Sequence, residues 1–146
     1  MNKPIDTHAP LKARQDIVID APLDKVWGLQ TDIGRWSMWQ ADISAAALEG
    51  PLQAGSVFRW KAKGLKIVST LHTVEPQRQI GWTGNSLGMF AIHNWTFVAL
   101  DQHTKVISEE SLSGWMARLL KLTDANFLAK SLAATLQTLK MAVEAK

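Results

Sequence analysis

The chain of 146 residues contains neither cysteine nor tyrosine. The missing thiols exclude disulfide bonds, thiolate metal ligands and cysteine nucleophiles, and they fit a reducing compartment. The missing phenol removes tyrosine from any catalytic scheme. The sequence also has no nucleophile-elbow motif, no phosphate-binding loop and no metal-ligand spacing among His8, His72, His93 and His103. We therefore expect no metal site and no cofactor.

Charge is also limited, because only 20% of the residues are charged and the formal net charge is +3. Arg59, Lys61 and Lys63 form the nearest approach to a basic cluster, and their alternation with apolar residues is typical of the solvated face of a strand. We expect no nucleic-acid partner. The first residues lack the apolar core of a secretory signal, which predicts a cytoplasmic protein.

The longest stretch without charge runs from Gln79 to Leu100. Its length raises the question of a membrane span, but it contains three glycines, two asparagines and His93. We therefore predict that it crosses no membrane and forms strands of a buried interior.

The order of the predicted elements gives one domain over residues 14–146, preceded by a flexible tail over residues 1–13. A first strand leads into a helix that begins near Pro22, and Asp32 can cap a second short helix. Turn residues then separate six strands, which we place near Ile43–Leu48, Ser56–Lys63, Lys66–Val74, Gln79–Thr83, Met89–Leu100 and Lys105–Leu112.

The C-terminal part changes to helical periodicity. Apolar residues spaced four, four, three and four apart form one stripe of a long helix: Leu128, Leu132, Leu136, Leu139 and Val143. A sheet with one apolar face needs such a helix as its cover. The predicted class is therefore α+β, with an antiparallel sheet packed on the last helix.

Four segments in this order resemble a known superfamily: VIDAPLDKVWGLQTDIGRWSMW, GSVFRWKAKG, the VEP turn before GWTG, and HTKVISEESLSGW. They resemble START-like (SRPBCC) proteins, especially small bacterial members of the polyketide cyclase/dehydrase type. The resemblance implies a helix-grip fold, in which a seven-stranded curved antiparallel sheet wraps around a long C-terminal helix. It also implies a hydrophobic tunnel between them, and places Ser108, Glu110 and Leu112 towards that tunnel.

One ionisable residue stands out in the uncharged stretch. Strand alternation places His93 on the same face as Trp95 and Phe97, and a tight hairpin brings it opposite or diagonal to Glu110. A buried carboxylate is costly, and a neighbouring imidazolium would reduce that cost. His93 and Glu110 are accordingly candidate ligand anchors or a catalytic pair, while a hydrogen-bonded core histidine remains an equal alternative.

The complete set of candidate ligand-binding residues follows from alternation, aromatic content and the resemblance. It comprises Trp39, Phe58, Trp60, Leu71, Trp82, His93, Trp95, Phe97, Ser108, Glu110, Leu112, Phe127, Leu128 and Leu132. Core packing explains each tryptophan nearly as well as pocket lining does.

Three functions remain open from the sequence. The first is binding or carriage of a small hydrophobic ligand of lipid, polyketide or aromatic type in the internal tunnel. The second is a cyclase or dehydratase type of lyase that uses His93 as acid/base and Glu110 to orient it, without metal or nucleotide. The third is a protein-interaction domain with a filled interior; the oligomeric state is undetermined.

Overall fold

The structure is a computed structural model that describes residues 3–145. Its strands are β1 (Leu11–Ile19), β2 (Ile43–Glu49), β3 (Val57–Ala62), β4 (Leu65–Glu75), β5 (Gln79–Ser86), β6 (Met89–Leu100) and β7 (His103–Ser113). Its helices are α1 (Leu23–Thr31), a 3-10 turn (Ile33–Arg35), α2 (Trp36–Trp39), α3 (Trp115–Thr123) and α4 (Phe127–Glu144). The predicted α+β class and the sequence of elements are confirmed.

All seven strands join in one antiparallel sheet with the order β1-β7-β6-β5-β4-β3-β2. Every strand from β2 to β7 pairs with its sequence neighbour, since the connections between them are short. Only β1 pairs out of sequence, at the edge beside β7. The sheet curves around α4 in the helix-grip arrangement that the resemblance implies.

The stripe predicted on the last helix is the face that packs on the sheet. All five of its residues are buried in α4, with exposed fractions between 0% and 5%. Leu136, Leu139 and Val143 belong to the main core, which lies between α4 and the concave face of the sheet. Asp124 separates α3 from α4, where it accepts a hydrogen bond from the backbone N–H of Asn126 and from Lys130 Nζ.

The described residues before β1 contact the sheet. β1 starts at Leu11, three residues before the predicted boundary at residue 14. The preceding segment lies on the outer face of the sheet, where the Lys3 N–H donates to His72 Nδ1 and the Asp6 N–H donates to Ser111 Oγ. This segment contains two prolines, which lack a backbone N–H, but its other backbone N–H groups can pair with polar side chains on the outer face.

The first helices differ from the prediction in detail. Pro22 is the N-cap of α1 rather than its first helical residue, and Asp24 lies in the first turn as expected. Asp32 precedes the 3-10 turn but makes no side-chain capping hydrogen bond there; its carboxylate lies 3.5 Å from Arg35 Nε.

The uncharged stretch Gln79–Leu100 forms β5, the following turn and β6. Gly84 and Asn85 belong to β5 rather than to the turn, which is confined to Leu87 and Gly88. Within residues 3–145 no helix combines the length and the apolar character that crossing a bilayer requires.

Candidate functional site

The hairpin between β6 and β7 places His93 directly opposite Glu110. Leu100 and His103 form the last pair, so Asp101 and Gln102 alone make the connection. Asp101 has a φ of 56°, in the left-handed region that aspartate tolerates better than most residues. The short turn sets the register, and the predicted proximity of His93 and Glu110 is confirmed.

Three polar side chains meet on the concave face of this hairpin: His93, Ser108 and Glu110, here called the polar trio. His93 Nε2 and Ser108 Oγ share a hydrogen bond of 2.7 Å. On the other side of the ring, His93 Nδ1 lies 3.5 Å from Glu110 Oε1, which is long for a hydrogen bond. Ser108 is completely buried, and the side chains of His93 and Glu110 are 11% and 15% exposed.

Two indole rings enclose the imidazole. The ring centroid of Trp82 lies 5.1 Å from that of His93, and that of Trp95 lies 5.2 Å away with 30° between the planes. Both tryptophans are buried. The trio is therefore a polar spot surrounded by aromatic carbon.

Burial in this apolar setting favours the neutral forms of both His93 and Glu110. It lowers the pKa of His93 to about 3 and raises the pKa of Glu110 to about 8. At neutral pH the imidazole is uncharged and the carboxyl group carries its proton. An imidazolium beside a carboxylate is therefore less stable here than the two neutral groups, because removal from water costs more than this pairing returns.

Most of the candidate ligand-binding residues lie together around the main core. Buried at this site are Phe58, Leu71, Trp82, Trp95 and Phe97, with Trp39 and Trp60 partly buried against them. Leu132 is also buried, on α4. These residues share the concave side with His93, as alternation predicts.

Three candidates belong elsewhere. Leu112 and Leu128 are buried in a second, smaller cluster with Leu11 and Ala117, and Phe127 packs against it. This cluster forms where β1, β7, α3 and the start of α4 meet. Strand and helix periodicity identify an inward direction but not which of two neighbouring cores a residue joins.

Trp36 has a central place in the core that the sequence pattern did not indicate. It is 2% exposed, its ring contacts those of Phe58, Trp60 and Trp82 at centroid distances of 5.4 to 5.6 Å, and its indole N–H donates to the Gln30 carbonyl oxygen. No helical period leads to Trp36, because the chain leaves helical geometry at Asp32 and at Arg35, between α1, the 3-10 turn and α2.

Three buried polar atoms have no hydrogen-bond partner within the described part of the chain: Gln30 Oε1, Trp39 Nε1 and Trp95 Nε1. Buried polar groups are usually paired, so each one is a place where a bound polar group would be stabilised. Trp95 is the most informative of them because its ring also stacks on His93.

Two pockets lie away from the polar trio. One of about 110 Å³ opens on the outer face beside His72, Asn94 and Glu109, and one of about 360 Å³ lies between α1 and the end of α4, beside Gly28 and Val143. Neither is lined by His93 or Glu110. Among residues 3–145, no three histidine or carboxylate side chains are grouped as metal ligands.

Solved structures with the same arrangement come from distant proteins. A hypothetical protein from Helicobacter pylori superposes with a TM-score of 0.84 at 16% identity, covering 99% of this chain and 98% of that one. The Zhui aromatase/cyclase from a Streptomyces species gives 0.78 at 14% identity, covering 91% and 93%. A START superfamily protein from Mycobacterium smegmatis gives 0.65 at 13% identity, covering 88% and 98%. At such identities the likeness concerns the fold alone.

No curated protein matches the sequence. A family model does, and it covers residues 10–144, which is nearly the whole described domain. The chain therefore belongs to the family described as polyketide cyclase/dehydrase and lipid transport.

Proposed function

We propose that this domain binds or carries a small hydrophobic molecule between the sheet and α4, and that the polar trio holds an uncharged polar group of that molecule. The observation that carries the proposal is a buried hydrogen bond between His93 and Ser108 beside a largely buried carboxyl group. Burying such groups costs free energy that an apolar core would avoid. Recognition of a ligand's polar group would explain why the protein keeps these groups buried.

The ligand is expected to be neutral at its polar end. No lysine or arginine within residues 3–145 is buried, so the interior offers no cation to a carboxylate or phosphate. Glu110 would repel an anion once it ionised. Ketone, alcohol and phenol groups, by contrast, can exchange hydrogen bonds with Ser108, the Glu110 carboxyl and the Trp95 indole N–H.

Binding requires a rearrangement, since Trp82 and Trp95 pack against the imidazole. A ligand that reaches the trio displaces at least one of these rings. The tryptophan fluorescence is therefore expected to change on binding, which supplies a direct readout.

Binding is favoured over acid/base catalysis by the same geometry. A general base works best with a pKa near the operating pH, whereas burial lowers the pKa of His93 to about 3. Its Nε2 is also engaged by Ser108. The family description covers both enzymes and lipid transport, so it is compatible with either activity.

The test uses a matched pair of aromatic probes, 2-naphthol and 2-naphthoate, titrated by calorimetry at pH 6.5 and checked by tryptophan fluorescence. We expect 2-naphthol to bind at least about tenfold more tightly, because burial of an uncompensated charge costs several kcal/mol. Native mass spectrometry of protein purified from its own host would show a bound hydrophobic molecule.

Two variants locate the site. Ser108→Ala is expected to weaken 2-naphthol binding, and Ser113→Ala, at the end of the same strand, is expected to leave it unchanged. The proposal would be refuted if neither probe bound and native mass spectrometry detected only the protein without a ligand. Tighter binding of 2-naphthoate would refute the neutral-ligand part and keep the binding site.

A further inference from the structure

Four large apolar side chains are exposed at one end of the molecule, and we call them the apolar patch. Their exposed fractions are 69% for Leu87, 55% for Trp115, 50% for Leu119 and 83% for Leu122. Single exposed apolar residues are common, but a contiguous group usually marks an interaction surface.

The patch is continuous across two segments of the chain. The backbone N–H of Met116 donates to the Gly88 carbonyl oxygen, at 3.0 Å, and joins α3 to the turn between β5 and β6. A Cβ placed on Gly88 would lie 2.6 Å from the Trp115 ring, so the indole rests on that turn. Leu87 directly precedes Gly88 in that turn and therefore lies beside Trp115, whereas Phe90 alternates with Met89 and Ala91 in β6 and lies on the outer face of the sheet.

Helical geometry places the remaining members on one side of α3. Trp115, Leu119 and Leu122 are four and three residues apart and form one stripe. Ala117, on the opposite side, is fully buried, and Leu120 packs against the smaller core. The helix is thus apolar on two sides, and only one of them is covered by the protein.

The charged residues in the two segments that form the patch are all basic. The segments Ser86–Phe90 and Gly114–Thr123 contain Arg118 and Lys121 and no aspartate or glutamate. Both cations are exposed, and neither forms an ion pair with any residue in the range 3–145. The nearest carboxylate along the chain, Asp124, is paired with Lys130 at 2.8 Å.

We propose that α3 and the β5–β6 turn dock on an anionic lipid surface, with the apolar patch entering the interfacial region and Arg118 and Lys121 contacting the headgroups. An amphipathic helix with exposed Trp and Leu and a basic flank has the features of interfacial binding. A second copy of the chain fits less well, because a two-fold contact through α3 would bring the same cations towards each other.

The experiment measures co-sedimentation of the intact protein with vesicles. One set is pure phosphatidylcholine and the other contains about one third phosphatidylglycerol. We expect binding to the anionic vesicles only, and we expect salt to weaken it because the charges are exposed. Leu119→Gln/Leu122→Gln should lower the affinity about tenfold or more, because two leucines that enter the lipid on binding are replaced by polar side chains.

Matched control variants distinguish binding through this surface from nonspecific hydrophobic binding. Met38 and Met141 are 76% and 63% exposed outside the patch, so Met38→Gln/Met141→Gln should bind like the unmodified protein. Arg118→Gln/Lys121→Gln should reduce binding to anionic vesicles. Circular dichroism would show that each variant is folded.

Three results would overturn the proposal. They are equal binding to both vesicle types, unchanged binding of the Leu119→Gln/Leu122→Gln variant, and a concentration-dependent dimer in analytical ultracentrifugation that those substitutions abolish. The last result would assign the patch to a second copy of the chain.

Discussion

His93 and Glu110 face each other across β6 and β7, yet both are neutral near pH 7. Their 3.5 Å separation would suit an ion pair, but desolvation acts on both groups and has opposite effects on the two pKa values. The result is a buried acid and a buried base that do not exchange a proton. This relationship has consequences for stability as well as for binding.

The pair predicts a plateau of stability between about pH 4.5 and 6.5. Above pH 6.5 the free energy of unfolding should fall, because the unfolded chain releases the Glu110 proton from its ordinary pKa of 4.5 while the folded chain holds it until about 8. Below pH 4.5 it should fall again, because the unfolded chain protonates His93 from 6.5 while the folded chain resists until about 3. Between the two ordinary values the slopes cancel.

Urea unfolding at pH 5, 6, 7 and 8 measures this profile. Glu110→Gln should remove the fall above pH 6.5, which amounts to at most about 1.4 kcal/mol per pH unit. Glu109→Gln, which changes the neighbouring residue on the other face of the strand, should retain it. An identical alkaline fall in Glu110→Gln and the unmodified protein would contradict the prediction.

Ser108→Ala tests the hydrogen bond within the polar trio. It should lower the free energy of unfolding by about 1–3 kcal/mol, because His93 Nε2 loses its partner in a buried position. Ser113→Ala removes a longer and more exposed contact, 3.4 Å to the Phe90 carbonyl oxygen, and should cost less than about 0.5 kcal/mol. Equal losses in the two variants, measured by chemical denaturation, would show that the trio contributes nothing specific.

Substitution of glycine by alanine should lower the free energy of unfolding at Gly81 and raise it at Gly28. A Cβ at Gly81 would lie 2.5 Å from both Asn94 Oδ1 and His72 Cε1, so Gly81→Ala must separate a hydrogen-bonded pair on the outer face and should cost about 1–3 kcal/mol. A Cβ at Gly28 in α1 would meet no described atom within 4 Å, so Gly28→Ala should stabilise the helix by about 0.5–1 kcal/mol. Melting temperatures that move in the same direction would contradict this.

The apolar stripe of α4 predicts a contrast between neighbouring positions. Leu139 is completely buried and Met141 is 63% exposed. Leu139→Ala should therefore cost about 2–5 kcal/mol, whereas Met141→Ala should change the free energy of unfolding by less than about 0.5 kcal/mol. Thermal unfolding of both variants measures the difference. A small effect at Leu139 would mean that α4 does not cover the sheet.

Local patterns in the sequence were sufficient for much of the fold. Turn residues separate the strands, four-and-three spacing marks α4, and a short connection restricts the pairing of β6 with β7. Each of these signals depends on neighbours within a few positions. The proximity of His93 and Glu110, opposite or diagonal, could therefore be predicted from the sequence, and the register of the structure makes them a direct pair.

Other features depend on elements that meet from distant parts of the chain. Trp36 is central because β3 and β5 bring Phe58, Trp60 and Trp82 around it, and no local period encodes that meeting. The division between the two cores, which places Leu112 apart from Trp95, follows from where β1 and α3 join the sheet.

The sequence by itself determined the order of elements, the inward faces and the position of one ionisable pair, because periodicity and turn length are local properties. Only the tertiary structure decided that this pair is neutral, that Ser108 rather than Glu110 holds the imidazole closely, and that α3 leaves an apolar side uncovered. Desolvation and exposure are produced by all the surrounding elements together, so a single strand or helix cannot specify them.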